Sequence, residues 1–337
     1  MIAQEINRLG LYIDGAVRQS AAGSHFDIYN PSTGEVIAQA PDCTIAEVDL
    51  AVASAQRAFG SWSETPAMKR VQVLYKFRDL IEKHLDELVR MVATEHGKVW
   101  DEAMGDVLKA KEVVELACGV PSMLMGESLM NASSGYDTVL YREPLGVYAG
   151  ISPFNFPAMI PMGWMMPLCI ATGNTLVLRP SPVTPMTSVR MTEMLYDAGL
   201  PEGVVNTITC GPEGAEHLVA HPDVKGIMFV GSTRVGRMVY ENASKHGKRV
   251  QALCQAKNHA LVMEDAPIER TARGIINGAF GCAGERCMAL PVAAVHESVA
   301  DELVATLVRL SKERRLGPGY EKTSELGPLV TPQHRES

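Results

Sequence analysis

The sequence predicts an α/β protein organised around a doubly wound parallel sheet, and three observations carry that expectation. β-rich runs at 175–179, 204–209, 226–230 and 249–254 alternate strictly with helical segments, the pattern of strands covered by helices on both faces. The 337 residues are 46% hydrophobic and 21% charged, enough apolar side chain for sizeable cores and a length that suits two domains. The run Phe229-Val230-Gly231-Ser232-Thr233-Arg234-Val235-Gly236 ends a buried strand and opens a helix, a junction where free backbone N–H groups can hold a phosphate.

Taken in order, Thr44 and Glu47 form a capping-box pair, and Val48, Val52, Ala55 and Phe59 recur on one face, so a first helix starts there. A second amphipathic helix is expected from about Ala67, with Leu74, Phe77 and Ile81 inward, running on through Leu85, Leu88 and Val92 to a capping Gly97. A third spans about Asp101 to Ala117. Val139, Tyr141, Val147 and Ala149 alternate around Arg142-Glu143-Pro144-Leu145-Gly146, which predicts a hairpin over 137–151. Ala158 to Ala171 is the most apolar stretch; it is interrupted by Pro161, Gly163 and Pro167 and falls short of the ~20 residues that span a bilayer, so it reads as a buried helix. The helix from Met186 to Ala198 is closed by Gly199 and Pro201. A further α/β segment follows, with strands at 259–263 and 290–296 and helices at 268–280 and 299–309.

Composition also excludes function classes. Thirty-one Lys and Arg against 39 Asp and Glu give a net charge of −8 with no long basic run, so a nucleic-acid surface has no electrostatic support. Seven cysteines form no CxxC pair and no disulfide framework; free thiols and no metal site are expected. Glu5 and Arg8 stand where a secretory signal would need an apolar core, and neither a membrane nor a secretory address is expected.

Three segments can carry chemistry, each with a plainer alternative. Cys287 follows a helix in the small-residue loop Gly281-Cys282-Ala283-Gly284-Glu285-Arg286-Cys287, beside a cation that favours thiolate; most lone cysteines are instead buried packing residues, as Cys169 and Cys254 look to be in their apolar runs. Asn155 is fixed between aromatics and prolines in Pro153-Phe154-Asn155-Phe156-Pro157, presenting an amide to an oxyanion, or simply capping the next helix. Gly231 and Ser232 form a phosphate-binding turn or merely a tight one, since the spacing is not GxGxxG.

The order and separation of these segments resemble the aldehyde dehydrogenase superfamily, and within it the CoA-acylating methylmalonate-semialdehyde dehydrogenases. The resemblance runs from NPSTGE at Asn30 to Glu35 through PFNFP, GNTLVLRPS, FVGST, KRVQALC, AKNHALVM and GERCMAL to ELGPLVTP at Glu325 to Pro332. It implies an aldehyde dehydrogenase-like fold: a nucleotide-binding domain at 1–125 and 152–256, an oligomerisation hairpin at 126–151, and a partial α/β catalytic domain at 257–337. It implies Cys287 as nucleophile, with Asn155 and the Cys287 amide as oxyanion hole. Ser152, Phe154, Arg179, Ser181, Gly231, Ser232, Gly236 and Cys254 would line the NAD site. The substrate would be methylmalonate or malonate semialdehyde, its carboxylate gripped by Arg286 and by Lys109, the latter standing where the family has a second arginine.

The glutamate that activates water in hydrolytic members falls on Leu253, so CoA rather than water is expected to remove the acyl group, giving propionyl-CoA or acetyl-CoA with loss of CO2. Other departures are Arg179 for a ribose-contacting lysine, Pro182 for a ribose-binding glutamate, Gln255 for a glycine beside the nicotinamide, and an extra residue around Gly163. Without the ribose carboxylate, NADP stays open beside NAD. Family members continue past residue 337 with more of the catalytic domain and a C-terminal strand, so a fragment or shortened product is expected, with cofactor binding outlasting catalysis. A small-molecule partner, a homo-oligomer at full length, and a cytoplasmic or mitochondrial-matrix location complete the expectation. The alternatives are a catalytically impaired nucleotide-binding paralogue and a hydrolytic aldehyde dehydrogenase.

Overall fold

The computed structural model describes residues 7–336, so Glu5 lies outside the described residues. Its centre is a seven-stranded sheet made of β1 (Leu11–Ile13), β2 (Ala16–Arg18), β3 (Val147–Ile151), β4 (Thr175–Arg179), β5 (Val205–Thr207), β6 (Val224–Val230) and β7 (Arg249–Leu253). The spatial order is β7-β6-β3-β4-β5-β1-β2, parallel from β7 to β5 and antiparallel at the β1 and β2 edge. From β3 the chain moves outward one way through β4 and β5, then returns to build β6 and β7 on the other side. That reversal leaves a crevice at the carboxyl ends of β3 and β6, where ligands of doubly wound sheets bind.

Strand period sorts the side chains into two cores. Leu176 and Leu178 of β4 point into one layer, and Val177 points into the other with Val147, Ala149 and Ile151 of β3. The first layer holds α2 (Ala67–Lys83), α3 (Leu85–His96), α4 (Trp100–Cys118) and α5 (Met186–Asp197); the second holds α1 (Ile45–Glu64), α6 (Pro212–Ala220) and α7 (Thr233–Lys245). The capping box of α1 is formed, with Thr44 Oγ1 accepting from Glu47 N–H and the Glu47 carboxylate from Thr44 N–H at 2.8 Å. Gly97 ends α3 at φ 89°, a left-handed angle that glycine adopts without strain.

Three expectations are corrected. The helix expected to run from Ala67 to Gly97 is two helices, broken at His84, whose φ of −106° and ψ of 21° leave the helical region. The alternation at 137–151 is not one hairpin. The hairpin pairs Ser128–Ser133 with Tyr136–Val139, turning at Gly135, while 147–151 is the central strand β3. Period-two alternation cannot tell two strands of one hairpin from strands of different sheets. The buried helix at 158–171 is π-helical over Met159–Met165 and α-helical over Met166–Ala171. Widened turns of this kind recur within α-helices. A Cβ at Gly163 would sit 2.8 Å from Ala110 Cα, so glycine permits the close approach of α4.

After β7 the chain builds a smaller unit, a two-stranded parallel sheet of β8 (His259–Val262) and β9 (Val292–Val295) packed on α8 (Ile268–Phe280) and α9 (Glu297–Lys312). Residues 317–330 return to the first unit. A Cβ at Gly319 would strike the Lys98 carbonyl at 2.2 Å, and one at Gly327 the Gly97 carbonyl at 2.0 Å.

Candidate active site

Two adjoining cavities open at the crevice. The first, of about 510 Å³, is bounded by the ends of β3, β4 and β6 and by α6 and α7. Ser152, Phe154, Arg179, Ser181, Gly231 and Ser232 line it, whereas Gly236 and Cys254 do not. Ser152 Oγ is buried there with no protein partner. Gly231 packs against Phe229, whose ring lies 2.6 Å from where a Cβ would be, and Gly236 lies against Cys254, 2.3 Å from Sγ to the same imagined atom. Glycine at both places keeps the turn into α7 tight. Ser232 caps α7, its Oγ accepting from Val235 N–H at 3.4 Å. These features fit a dinucleotide: an unpartnered hydroxyl, a strand-to-helix turn, and a helix end that favours phosphate. Two details qualify the fit. Arg179 turns Nε and Nη2 onto the Cys210 carbonyl, and Gln255 Oε1 accepts the Thr233 N–H at 3.3 Å, occupying one amide of the phosphate-facing helix end.

The second cavity, of about 500 Å³, shares Pro153, Phe154, Val230, Gly231 and Ser232 with the first. Its remaining wall brings together Asn155, Cys254, Lys257, Glu285, Arg286 and Cys287. Cys287 is half-buried, and all seven cysteines are free thiols. Cys282 and Ala283 turn the loop with φ of 50° and 52°, rare for residues with a side chain, so the surroundings must hold them. Glu102 of α4 does so: its Oε1 accepts from Cys282 N–H and from Arg286 Nη2, both at 2.9 Å. Asn258 Nδ2 holds the carbonyls of Cys287 and Ala289 at 3.0 and 2.8 Å.

Asn155 is positioned from behind by a buried ion pair. Lys98 Nζ lies 3.1 Å from Asp106 Oδ2, donates to the Asn155 carbonyl at 2.6 Å, and sits 4.2 Å from the centre of the Phe156 ring. Asp106 in turn accepts the Met159 N–H at 2.7 Å, tying α4 to the widened helix turn. The Asn155 amide gives one N–H to the Glu285 carbonyl at 2.7 Å, so the second N–H is what remains for an oxyanion. Asn155 is not a helix cap in this structure.

Glu285 was not singled out from sequence, although it stands two residues before Cys287. Its carboxylate accepts from Val330 N–H and lies 3.8 Å from His96 Nε2; burial pushes its pKa up to about 7. His96 is held well below its ordinary value by burial and by Lys98, and its ring stacks on Phe154. Glu102, Lys98 and Asn258 were also missed. Gly97 ending a helix just before Lys98 was a signal; long-range partners of Glu102 leave none.

The carboxylate clamp is corrected in part. Arg286 lines the cavity, but its guanidinium is already paired with Glu102, and its Nε donates to Cys282 Sγ at 3.2 Å. Lys109 is exposed on α4, pairs with Glu112, and is absent from the cavity wall. Lys109 lies on the solvent face of α4 while Asp106 and Ala110 are buried, and which face met the cavity could not be read from spacing alone. Leu253 ends β7 half-exposed and accepts the Gly231 N–H through its carbonyl.

The fold is shared with known proteins. The aldehyde dehydrogenase family model matches residues 17–337. The chain belongs to the aldehyde dehydrogenase family. It is 46% identical over 331 residues to malonate-semialdehyde dehydrogenase 1 of Geobacillus thermodenitrificans, a match covering 98% of this chain and 68% of that one. The crystal structure of methylmalonate-semialdehyde dehydrogenase from Oceanimonas doudoroffii superposes with a TM-score of 0.95 at 40% identity, over 98% of this chain and 68% of that one. An aldehyde dehydrogenase from Bacillus cereus solved with NAD+ superposes at 0.94 with 31% identity, again over 98% and 68%. The aldehyde dehydrogenase fold expected from sequence is therefore present. No helix among the described residues is long and apolar enough to cross a membrane.

Proposed function

We propose that this aldehyde dehydrogenase chain carries the nucleotide site and the nucleophile for CoA-acylating oxidation of malonate or methylmalonate semialdehyde. One observation supports this above the others: Cys287 and Asn155 face one cavity, which joins the nucleotide cavity through Phe154, Gly231 and Ser232. The Cys287 thiolate attacks the aldehyde carbon; the C–S bond forms as the carbonyl electrons move to oxygen. The free Asn155 N–H and the Cys287 amide hold that oxyanion. Ser152, Phe154, Arg179, Ser181, Gly231, Ser232, Gly236 and Cys254 would hold NAD, which when bound supplies the hydride acceptor that converts the adduct to a thioester on Cys287. With a β-carboxylate present, C–C cleavage releases CO2 and leaves the bonding electrons on the α-carbon, where the thioester carbonyl delocalises them until that carbon takes a proton from solvent. Coenzyme A thiol then displaces Cys287, which leaves as thiolate. Leucine at 253 supports CoA over water, since it supplies no base there.

Arg286 would meet the substrate carboxylate while sharing its charge with Glu102. The exposed Leu129, Met130, Tyr136 and Tyr141 on and beside the 128–139 hairpin fit a second copy of the chain as partner. NADH formation from malonate semialdehyde, with and without CoA, tests the reading. CoA-dependent acetyl-CoA is expected. Equal rates with free acid as product would make the enzyme hydrolytic, and dinucleotide binding without NADH formation would favour the nucleotide-binding alternative.

A further inference from the structure

Away from both cavities, α1 and α6 bring three ligand-type side chains together. His217 and His221 lie four residues apart at the end of α6, and Asp49 lies on α1. Asp49 Oδ1 is 2.6 Å from His217 Nε2 and 3.5 Å from His221 Nε2; the two rings stand edge to face at 5.7 Å, and all three ligand atoms lie within 4.8 Å of one another. We propose that Asp49, His217 and His221 form a site for a borderline divalent transition-metal ion of the Zn2+ class.

The donor set decides the class. Two imidazole nitrogens and one carboxylate oxygen suit zinc, cobalt or nickel, whereas calcium and magnesium take oxygen donors. Ligands at about 2.1 Å from one ion stand roughly 3.4 Å apart, so small side-chain rotations close this set around a metal. Three protein ligands leave room for water, and the partial exposure of Asp49 and His217 gives an entry path. Two hydrogen bonds are lost in the exchange, and the metal replaces the first, between His217 Nε2 and Asp49 Oδ1. His221 Nδ1 accepts the Asp223 N–H at 3.2 Å, and metal at Nε2 moves the ring proton to Nδ1. That contact is long, and the Lys248 ammonium on the His221 carbonyl still anchors the residue. The consequence is mechanical. Pro212, Ala215, Glu216 and Val219 of α6 line the nucleotide cavity, so an ion joining His217 to Asp49 fastens that wall to α1.

The test uses the chain stripped with chelator and titrated with Co2+, then with Zn2+. One equivalent of Co2+ is expected to give visible d–d bands without the near-ultraviolet charge transfer of a thiolate ligand, and Zn2+ to raise Tm. His217→Ala, His221→Ala and Asp49→Asn should each weaken binding at least roughly tenfold, with metal-free Tm showing that each variant folds. Absence of binding, binding unchanged in all three variants, or a thiolate charge-transfer band that follows a cysteine would each overturn the proposal. None of these outcomes depends on the dehydrogenase reading.

Discussion

The unit built on the seven-stranded sheet and the unit after residue 257 that carries Cys287 are held together by different forces. In the first, β3 and β4 are covered on both faces, and two extended apolar cores meet across the sheet. In the second, the buried core is Val262, Ala272, Ile276, Leu303 and Leu310, while Leu261, Met263 and Leu316 are largely exposed. The strained loop before Cys287 is fixed instead by polar ties that cross from the first unit: Glu102 to Cys282 and Arg286, and Asn155 to the Glu285 carbonyl. The loop that carries Cys287 is therefore held by ties from the first unit as well as by Asn258 of its own. Apolar burial is non-directional and tolerates repacking, whereas these few hydrogen bonds are directional, and each one lost is felt at the reacting atom.

The sharpest break in that comparison is Cys287→Ser, which should abolish the acyl-enzyme seen by mass spectrometry while leaving dinucleotide binding intact. Acylation persisting in that variant would move the nucleophile elsewhere. Asn155→Ala should cost roughly 2.7 to 4 kcal/mol of transition-state stabilisation, read as kcat, because the oxyanion loses its side-chain donor. Turnover equal to the parent would leave Asn155 a loop tether alone.

Glu285 tests the polar ties through pH. Its pKa rises from an ordinary 4.5 to about 7, so between those values the folded chain holds a proton that the unfolded chain releases. Stability should fall as pH rises from 4.5 to 7, with the full penalty remaining above 7. Glu285→Gln keeps an acceptor for Val330 N–H and removes the ionisation. The variant should gain about 2 to 3 kcal/mol at pH 8 and nothing below pH 4.5, measured by denaturant unfolding; a gain at acid pH would reverse the assignment.

Gln255→Gly frees the Thr233 N–H for phosphate and should tighten dinucleotide binding by roughly two- to tenfold, the worth of one hydrogen bond. Weaker binding would mean that Gln255 helps to hold the ligand. Lys109→Ala should leave KM for malonate semialdehyde unchanged, since that side chain is exposed and paired with Glu112. A rise confined to acidic aldehydes would return Lys109 to the clamp.

What sequence made legible was local or strongly patterned. The capping box at Thr44, the left-handed Gly97, the alternating strands and helices, and the turn at Gly231 each follow from residue type and spacing over a few positions. The motif strings identified the family and singled out Cys287 and Asn155, which the structure brings to one cavity. Tertiary structure alone decided the rest. It made 147–151 the centre of the sheet, turned Arg286 onto Glu102, pointed Lys109 away, and set Lys98 and Asp106 behind Asn155. Those outcomes depend on partners from 8 to 184 residues apart, as in Lys98 to Asp106 and Glu102 to Arg286. Propensity and period describe what a segment can bury, but not which distant charge will meet it; that is fixed only when packing brings the two together.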